Sequence, residues 1–477
     1  MKNGILERAY GSTDFEELGK QALDQFQNHL TSTLNGERKR TIAWNTPEKE
    51  LEFWETFLKS GKSAQFLSEI INRTTHTHNP KYLGHQVAAT APITAVTAMV
   101  SALLNNGMAV YEMGMSPSAI EHIVINSICA KIGFDSNSGG LLTSGGTLAN
   151  LTALLAARKA IVAHDVWNKG YSKPLGIMVC EEAHYCVDRA AKIMGLGEQG
   201  ILKIPAKDSF SMDTATLEEH LQKAKEKGIE VFAIIGSAPS TATGTYDDLE
   251  AIASFAKKQG LWFHVDGAHG GAAIYSEKYK TLLKGIEAAD SVVIDGHKMM
   301  MMPTITTALL FKNKLHMQAT FSQKADYLLD DMEEPDWINS GKKTFECTKT
   351  MMCLHWFILL KYYGEELFDA YVTRQYDLAK TFEQLLRADK DFELATAPQS
   401  NILCFRIIRA EATPSELNAL NMAIRQKLLE DGTFYIVQTK LRGVHYLRTT
   451  LMNPFTTEKE LQRLLSMIKE LAQGLFN

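Results

Sequence analysis

Three stretches of this chain carry residue types that could do chemistry together. The first reads Ser291-Val-Val-Ile-Asp-Gly-His-Lys298. A β-branched run that stops at a turn places the next residues at the carboxyl edge of a sheet, where open α/β sheets bind ligands. A lysine there can form a Schiff base with a carbonyl, so Lys298 is the leading catalytic candidate. The second, Trp262-Phe-His-Val-Asp-Gly-Ala-His-Gly-Gly271, is another apolar run ending in an acid. Gly267, Ala268, Gly270 and Gly271 around Asp266 predict room for a flat ring to approach the backbone. Asp266 would then pair with a protonated ring nitrogen; the plainer alternative is that it caps a turn. The third, Thr143-Ser-Gly-Gly-Thr-Leu-Ala-Asn150, runs into an Ala/Leu-rich stretch that favours a helix. A glycine-rich turn at a helix N-terminus binds anions through its backbone N–H groups.

The elements that must position these residues follow from where the hydrophobic period changes. Residues 1 to about 80 read as amphipathic helices, among them Ser12 to Leu34 and Pro47 to Ile70, with too little apolar surface to stand alone. Residues 81–370 alternate short apolar runs with helices, which predicts a large domain with a mostly parallel sheet. One helix is clear in detail. Asp247 or Asp248 caps it, Leu249, Ile252, Ala253 and Phe255 form its apolar side, and Gly260 ends it. Residues 371–477 read as a smaller α/β domain. Its strands are expected at Asn401 to Ile407, Thr433 to Gln438 and Val444 to Met452, with helices starting at the capping boxes Thr413 to Glu416 and Thr457 to Glu460.

An anion cradle, an acid and a lysine, in that order and each at a strand-to-turn edge, match the three anchors that pyridoxal phosphate requires. Here the chain closely resembles the group II pyridoxal-phosphate-dependent amino acid decarboxylases, which include glutamate, cysteine sulfinate, aromatic amino acid and 2,4-diaminobutyrate decarboxylases. The resemblance runs from about Asn79 to about Thr457 and includes Asn79-Pro-Lys-Tyr-Leu-Gly-His-Gln-Val, Cys180-Glu-Glu-Ala-His-Tyr-Cys186, Ser240-Thr-Ala-Thr-Gly-Thr-Tyr-Asp247 and His445-Tyr-Leu-Arg-Thr-Thr-Leu-Met-Asn-Pro. It implies an α/β fold of the fold-type I pyridoxal-phosphate class, with a seven-stranded, mostly parallel sheet and a small C-terminal α/β domain. It implies that Lys298, His184 and Asp266 are catalytic, with His184 stacked on the cofactor ring. It implies cofactor contacts from Gly145, Gly146, Thr147, Thr241, Ala268 beneath the ring and His297 at the phosphate. Gly84, His85, Gln86 and Arg448 are the implied residues around the substrate.

The implied reaction is decarboxylation of an L-amino acid with a small polar or charged side chain: glutamate, aspartate, cysteine sulfinate or 2,4-diaminobutyrate. A same-fold enzyme with another outcome, an aldehyde synthase or a carbon–carbon lyase, is the alternative, because a shared fold does not dictate the reaction. Many family members return a proton to Cα from a tyrosine on a loop, but residues 328–345 contain none. His184, His269 or a loop from a neighbouring subunit are the candidates in its place. Family active sites draw loops from both subunits, so the resemblance implies a homodimer with shared sites, with residues 1–80 packing on it.

Composition sets outer limits. At 477 residues, 45% hydrophobic and 22% charged, the chain can bury a full core in more than one domain. Its net charge of −5 gives no reason to expect nucleic acid or an anionic membrane as partner. The six cysteines follow no metal or disulfide pattern, which suggests reduced thiols in a cytoplasmic protein. The charged N-terminus does not read as a signal peptide, and no apolar run reaches the roughly 20 residues of a membrane helix. Met299 to Met302 reads as core filler and not as a thioether metal site, and no metal is expected. The acidic run Asp330 to Asp336 reads as a solvated loop.

Overall fold

A computed structural model describes residues 2–321 and 337–475. The acidic run expected as a loop, and the first part of the 328–345 stretch, lie outside the described residues. The chain divides into two compact units: Gln86–Glu383 with Thr396–Leu403, and Met1–His85 with Gln384–Ala395 and Cys404–Asn477.

The larger unit is built on seven strands: β1 Gly139–Thr143, β2 Leu175–Cys180, β3 Ile201–Ile204, β4 Glu230–Ser237, β5 Trp262–Asp266, β6 Ser291–Asp295 and β7 Thr307–Phe311. They lie in the order β1-β7-β6-β5-β4-β2-β3. The pairs β3/β2, β2/β4, β4/β5 and β5/β6 are parallel, whereas β7 is antiparallel to both β6 and β1. The sheet is therefore mostly parallel, as expected. Every residue of β2, β5, β6 and β7 is buried, which explains their unbroken apolar runs. The helix Gly146–Ile161 packs on this sheet through Ala149, Ala153, Leu154, Ala156 and Ala157, which join Ile177, Val179, Phe232, Ile235 and Val293 in one core. Its alanines let helix and sheet approach closely.

The helix Leu249–Gln259 starts at Asp248, whose carboxylate accepts the Ala251 N–H at 3.0 Å, and ends at Gly260 in the left-handed region. Asp247, the other capping candidate, is buried and accepts N–H groups from Met212 at 2.6 Å and Ser237 at 2.8 Å. It thereby ties down the end of β4.

In the smaller unit the helix Ser12–Leu34 matches its expected span. The single helix expected from Pro47 to Ile70 is broken: Pro47–Ser60 ends at an extended Gly61, and a new helix runs Phe66–Arg73. A Cβ at Gly61 would sit 2.5 Å from the Phe57 ring, so glycine lets the chain turn over that ring. Strands β8 Phe392–Leu394, β9 Ile402–Ile407, β10 Val437–Leu441 and β11 Val444–Thr450 form a sheet in the order β10-β11-β9-β8. The strand expected at Thr433 to Gln438 lies further along. Arg442 and Gly443 both take positive φ, and this two-residue hairpin pairs Leu441 with Val444. Both capping boxes are present.

Candidate active site

The parallel course of β4, β5 and β6 brings their carboxyl ends to one edge, with Ser237 paired to Asp266 and Asp266 to Val293, just short of the end of β6 at Asp295. Because β7 runs the other way, its first residue Thr307 stands opposite both Asp295 and Thr143, the last residue of β1. One edge therefore collects three strand-terminal residues, Thr143 lying more than a hundred positions before Asp295 and Thr307 in the chain. A cavity of about 240 Å³ opens there, lined among others by Gly145, Gly146, Thr147, His184, Thr241, Asp266, Ala268, His297 and Lys298. Every residue expected to touch the cofactor lines this one cavity.

Lys298 follows β6 by one turn, and its Nζ lies 2.9 Å from Asp295 Oδ2. Burial pulls the Lys298 ammonium toward its neutral form, but the charge and hydrogen bond of the Asp295 carboxylate, helped by Asp266, together outweigh that and raise its pKa above the ordinary lysine value. Asp295 is buried, and its Oδ1 accepts the Thr307 hydroxyl at 2.6 Å. His297 turns Nδ1 to the Thr306 carbonyl at 3.0 Å, while its Nε2 stands 3.7 Å from Asp295 Oδ2.

Asp266 ends β5, and its Oδ1 accepts the Ala268 N–H at 3.2 Å, so it caps the turn as the plainer reading of the sequence has it, while it also lines the cavity. Two residues earlier, the buried His264 joins the sheet to the cradle helix. Asn150 donates its amide to the Gly146 carbonyl at 2.8 Å, which leaves Oδ1 to accept from His264 Nε2–H at 2.8 Å. Nδ1 is then the acceptor for the Ser291 hydroxyl at 2.8 Å, whose oxygen also accepts Trp262 Nε1–H at 2.9 Å. Burial lowers the His264 pKa to about 4, and the network fixes the start of the helix against β5 and β6.

His184 occupies the N-cap of the helix Tyr185–Ile193, where Nδ1 accepts the Cys186 N–H at 3.3 Å, and burial holds its pKa below the ordinary imidazole value. It is a helix cap and a cavity wall at once. His269 also lines the cavity, and its Nε2 lies 2.7 Å from Asn401 Oδ1. Asn401 donates its amide to Met299 Sδ at 3.2 Å, so its oxygen faces His269 and accepts from Nε2–H.

The glycines after Asp266 correct one expectation. Cβ atoms added at Gly267, Gly270 and Gly271 would meet Val293 O at 2.9 Å, Tyr246 Oη at 2.1 Å and Ile294 Cγ1 at 2.8 Å. These residues are small because the protein packs against them, and of the four small residues only Ala268 faces the cavity. The cradle glycines are different. Gly145 has φ +102°, and a Cβ at Gly146 would come within 3.1 and 3.2 Å of the two Asp295 carboxylate oxygens.

This donor set fits pyridoxal phosphate. The first N–H groups of the helix Gly146–Ile161 have no intrahelical acceptors and carry the positive end of its dipole, which suits a phosphate. A buried acid and a primary amine at the same edge suit a pyridine nitrogen and an aldehyde. Among the described residues no group of three or more His, Cys, Asp or Glu could hold a metal ion.

The residues expected around the substrate are placed differently. Gln86 belongs to the larger unit but not to the lining of this cavity, and its buried Nε2 has no hydrogen-bond partner among the described residues. Gly84, His85 and Arg448 belong to the smaller unit. A Cβ at Gly84 would lie 2.5 Å from the Tyr435 ring, so this glycine serves close packing. Arg448 is buried on β11. Partial burial and the guanidinium groups of Arg448 and Arg425 hold the His85 imidazole below its ordinary pKa. Arg425, Asp295, His264 and Asn401 were not singled out from the sequence.

Residues 64–408 match the family model for the pyridoxal-dependent decarboxylase conserved domain. The chain is 27% identical over 467 residues to an aromatic-L-amino-acid decarboxylase of Bacillus atrophaeus, covering 96% of each. It is 26% identical over 513 residues to an aspartate 1-decarboxylase of Aliivibrio fischeri, covering 96% of this chain and 93% of the other. The crystal structure of the glutamate decarboxylase domain of diaminobutyrate-pyruvate transaminase and L-2,4-diaminobutyrate decarboxylase from Vibrio parahaemolyticus superposes with a TM-score of 0.85 at 25% identity, over 98% of this chain and 96% of that one. With its match spanning most of its length and the lysine, acid and anion cradle gathered at one sheet edge, the chain belongs to the pyridoxal-dependent decarboxylase family and is an amino acid decarboxylase that uses pyridoxal phosphate.

Proposed function

We propose that this enzyme removes the α-carboxylate of an L-amino acid with a small polar or charged side chain, with Lys298, Asp266 and His184 as its catalytic residues. The observation that carries this reading is the convergence of Lys298, Asp266 and the glycine-rich helix start on one cavity. Gly145, Gly146, Thr147 and His297 would hold the cofactor phosphate, Asp266 the ring nitrogen, His184, Thr241 and Ala268 the ring, and Lys298 the aldehyde carbon. When bound, pyridoxal phosphate supplies an electron sink for the pair released as CO₂ leaves.

The chain's own residues do the rest. Asp266 offers a fixed negative charge that favours a protonated ring nitrogen. Of the three imidazoles that line the cavity, His184 and His269 stand in for the loop tyrosine as carriers of the proton returned to Cα, while His297 is given to the phosphate. Substrate choice rests on groups that fix the α-carboxylate and the side chain, because the bond that breaks is set by orientation.

A homodimer is part of the proposal. The N-terminal helices expose Ile5, Leu6, Tyr10, Phe15 and Leu23, and the helix Ile93–Leu104 exposes Val96, Met99, Leu103 and Leu104. Such apolar faces call for a second copy. A cytoplasmic location is supported by six cysteines that form no disulfide among the described residues, five of them buried. No described helix is long and apolar enough to cross a membrane.

The test is CO₂ release and amine formation by the pyridoxal-phosphate-loaded protein across a panel of L-amino acids, with Lys298→Ala as control. Equal amounts of CO₂ and amine from one acidic or polar substrate are expected, abolished by the substitution. Aldehyde with peroxide, or transamination without CO₂, would contradict the proposed outcome.

A further inference from the structure

Lys298 shares its cavity with a carboxylate to which no role has been given so far. Asp295 is the last residue of β6, and both sides of its backbone are tied: its N–H donates to Ala268 O at 3.0 Å, and the N–H of Gly296 donates to Thr306 O at 2.8 Å. Its side chain is tied as well. Oδ1 accepts the Thr307 hydroxyl at 2.6 Å, and Oδ2 faces Lys298 Nζ at 2.9 Å. The Asp295 side chain is 2% exposed and that of Lys298 20%, so a nearly immobile anion holds the tip of a long, flexible stem that reaches into the cavity. A lysine without that anchor would spread over many rotamers.

From this geometry we infer that Asp295 is a positioning residue for the reaction, which aims Lys298 Nζ into the cavity and keeps it charged while it is free. The inference rests on the reading of Lys298 as the cofactor lysine. Asp295 is suited to this work where Asp266 is not: Asp266 sits one strand away and spends Oδ1 on the Ala268 N–H, whereas Asp295 is three residues from the lysine and on the same turn. The sign of the effect follows from two opposed terms. Burial, the largest single effect, favours the neutral amine, and the charge and hydrogen bond of Asp295 together with the Asp266 charge favour the ammonium more strongly. With the Asp295 carboxylate gone, burial is opposed mainly by the Asp266 charge, and Lys298 becomes a free amine at lower pH.

Competitive labelling with trace acetic anhydride, read by peptide mass spectrometry across pH, measures the midpoint at which Lys298 turns reactive in the cofactor-free full chain. The exposed Lys459 provides an internal reference. The midpoint, and not the rate, is the readout, because a less basic amine is also a weaker nucleophile. In the native chain Lys298 is expected to turn reactive at higher pH than Lys459. Asp295→Asn is expected to lower its midpoint by more than one pH unit, a more than tenfold gain in free amine at fixed pH. Asp295→Glu, which keeps the charge, is expected to restore most of the native midpoint. In the cofactor-loaded chain the Asn variant should also shift the pH-dependent absorbance of the bound cofactor to lower pH. An unchanged midpoint in Asp295→Asn, or a native midpoint at or below that of Lys459, would overturn the inference. The second result needs no variant to fold. Neither depends on CO₂ release, so failure of the decarboxylation reading and failure of this one remain distinguishable.

Discussion

Two lysines of the larger unit are buried against carboxylates, and they differ in what is left open. Lys349 Nζ meets Glu121 Oε1 at 2.5 Å and donates to the Leu142 carbonyl at 2.7 Å, with only 1% of its side chain exposed. Glu121 Oε1 also accepts the Leu142 N–H at 3.1 Å, so this pair joins the helix Tyr111–Ile132 to β1. Lys298 has one carboxylate at 2.9 Å and 20% exposure into a cavity walled by Asp266, His184 and the start of the cradle helix. The same two chemical groups thus form a rivet in one place and, on the proposed reading, a reagent in the other. What separates them is access, not pairing.

The largest expected effect of breaking either pair falls on activity. Lys298→Ala should reduce CO₂ release by roughly 10³-fold or more, because it removes a group that acts in the reaction itself. It should leave a folded protein, since the cavity lets water reach the orphaned Asp295. Circular dichroism alongside the CO₂ assay checks both halves.

Lys349→Ala should do the reverse. It strands a buried Glu121 carboxylate, at a cost of about 3–5 kcal/mol, while the fraction that stays folded keeps its specific activity. Adding Glu121→Gln should recover part of that loss. Chemical denaturation of the two single variants and the double variant measures the coupling. Additive losses would mean that the rivet reading is wrong.

Proton linkage sharpens the contrast further. His264 and His76 have folded pKa values lowered to about 4, burial being the largest cause, against an ordinary 6.5. The unfolded chain therefore binds more protons between these values, so the stability they contribute is present above pH 6.5 and is lost as pH falls toward 4. Lys298 has a raised pKa and titrates in the other direction: its contribution is present below about 10.5 and is lost as pH rises through the folded value. Thermal midpoints across pH should fall at both ends. His76→Gln should flatten the acid limb and Asp295→Asn the alkaline one.

The smallest effect is expected from Gly146→Ala. The new Cβ would crowd the Asp295 carboxylate at 3.1 and 3.2 Å, close enough to shift it by tenths of an ångström. Stability should change by less than about 1 kcal/mol, because the first turn of a helix accepts alanine. Cofactor retention should weaken by no more than about tenfold. Equilibrium dialysis against pyridoxal phosphate checks this.

Legibility in the sequence followed the range of the interactions involved. Lys298, Asp266 and the Gly145 to Thr147 turn stood out because each ends a run with a clear period, and local patterns mark strand ends well. The capping boxes and the helix Leu249–Gln259 were legible for the same reason. Asp295 lies in the very run that exposed Lys298, yet its partner Thr307 is on the antiparallel β7, and no local period announces that pairing. His264 meets Asn150 across 114 residues, which is equally silent in one sequence. The glycines after Asp266 were misread because smallness reports close approach without saying to what. The β10–β11 register was missed because Arg442-Gly443 is a less familiar hairpin turn than Asn-Gly.

The central claim is that Lys298, and not the more deeply buried Lys349, carries the cofactor. Borohydride reduction of the pyridoxal-phosphate-loaded protein followed by peptide mass spectrometry tests it directly. A single pyridoxyl label on Lys298 is the predicted result. Label on Lys349 or any other lysine, with Lys298 unmodified, would contradict the account.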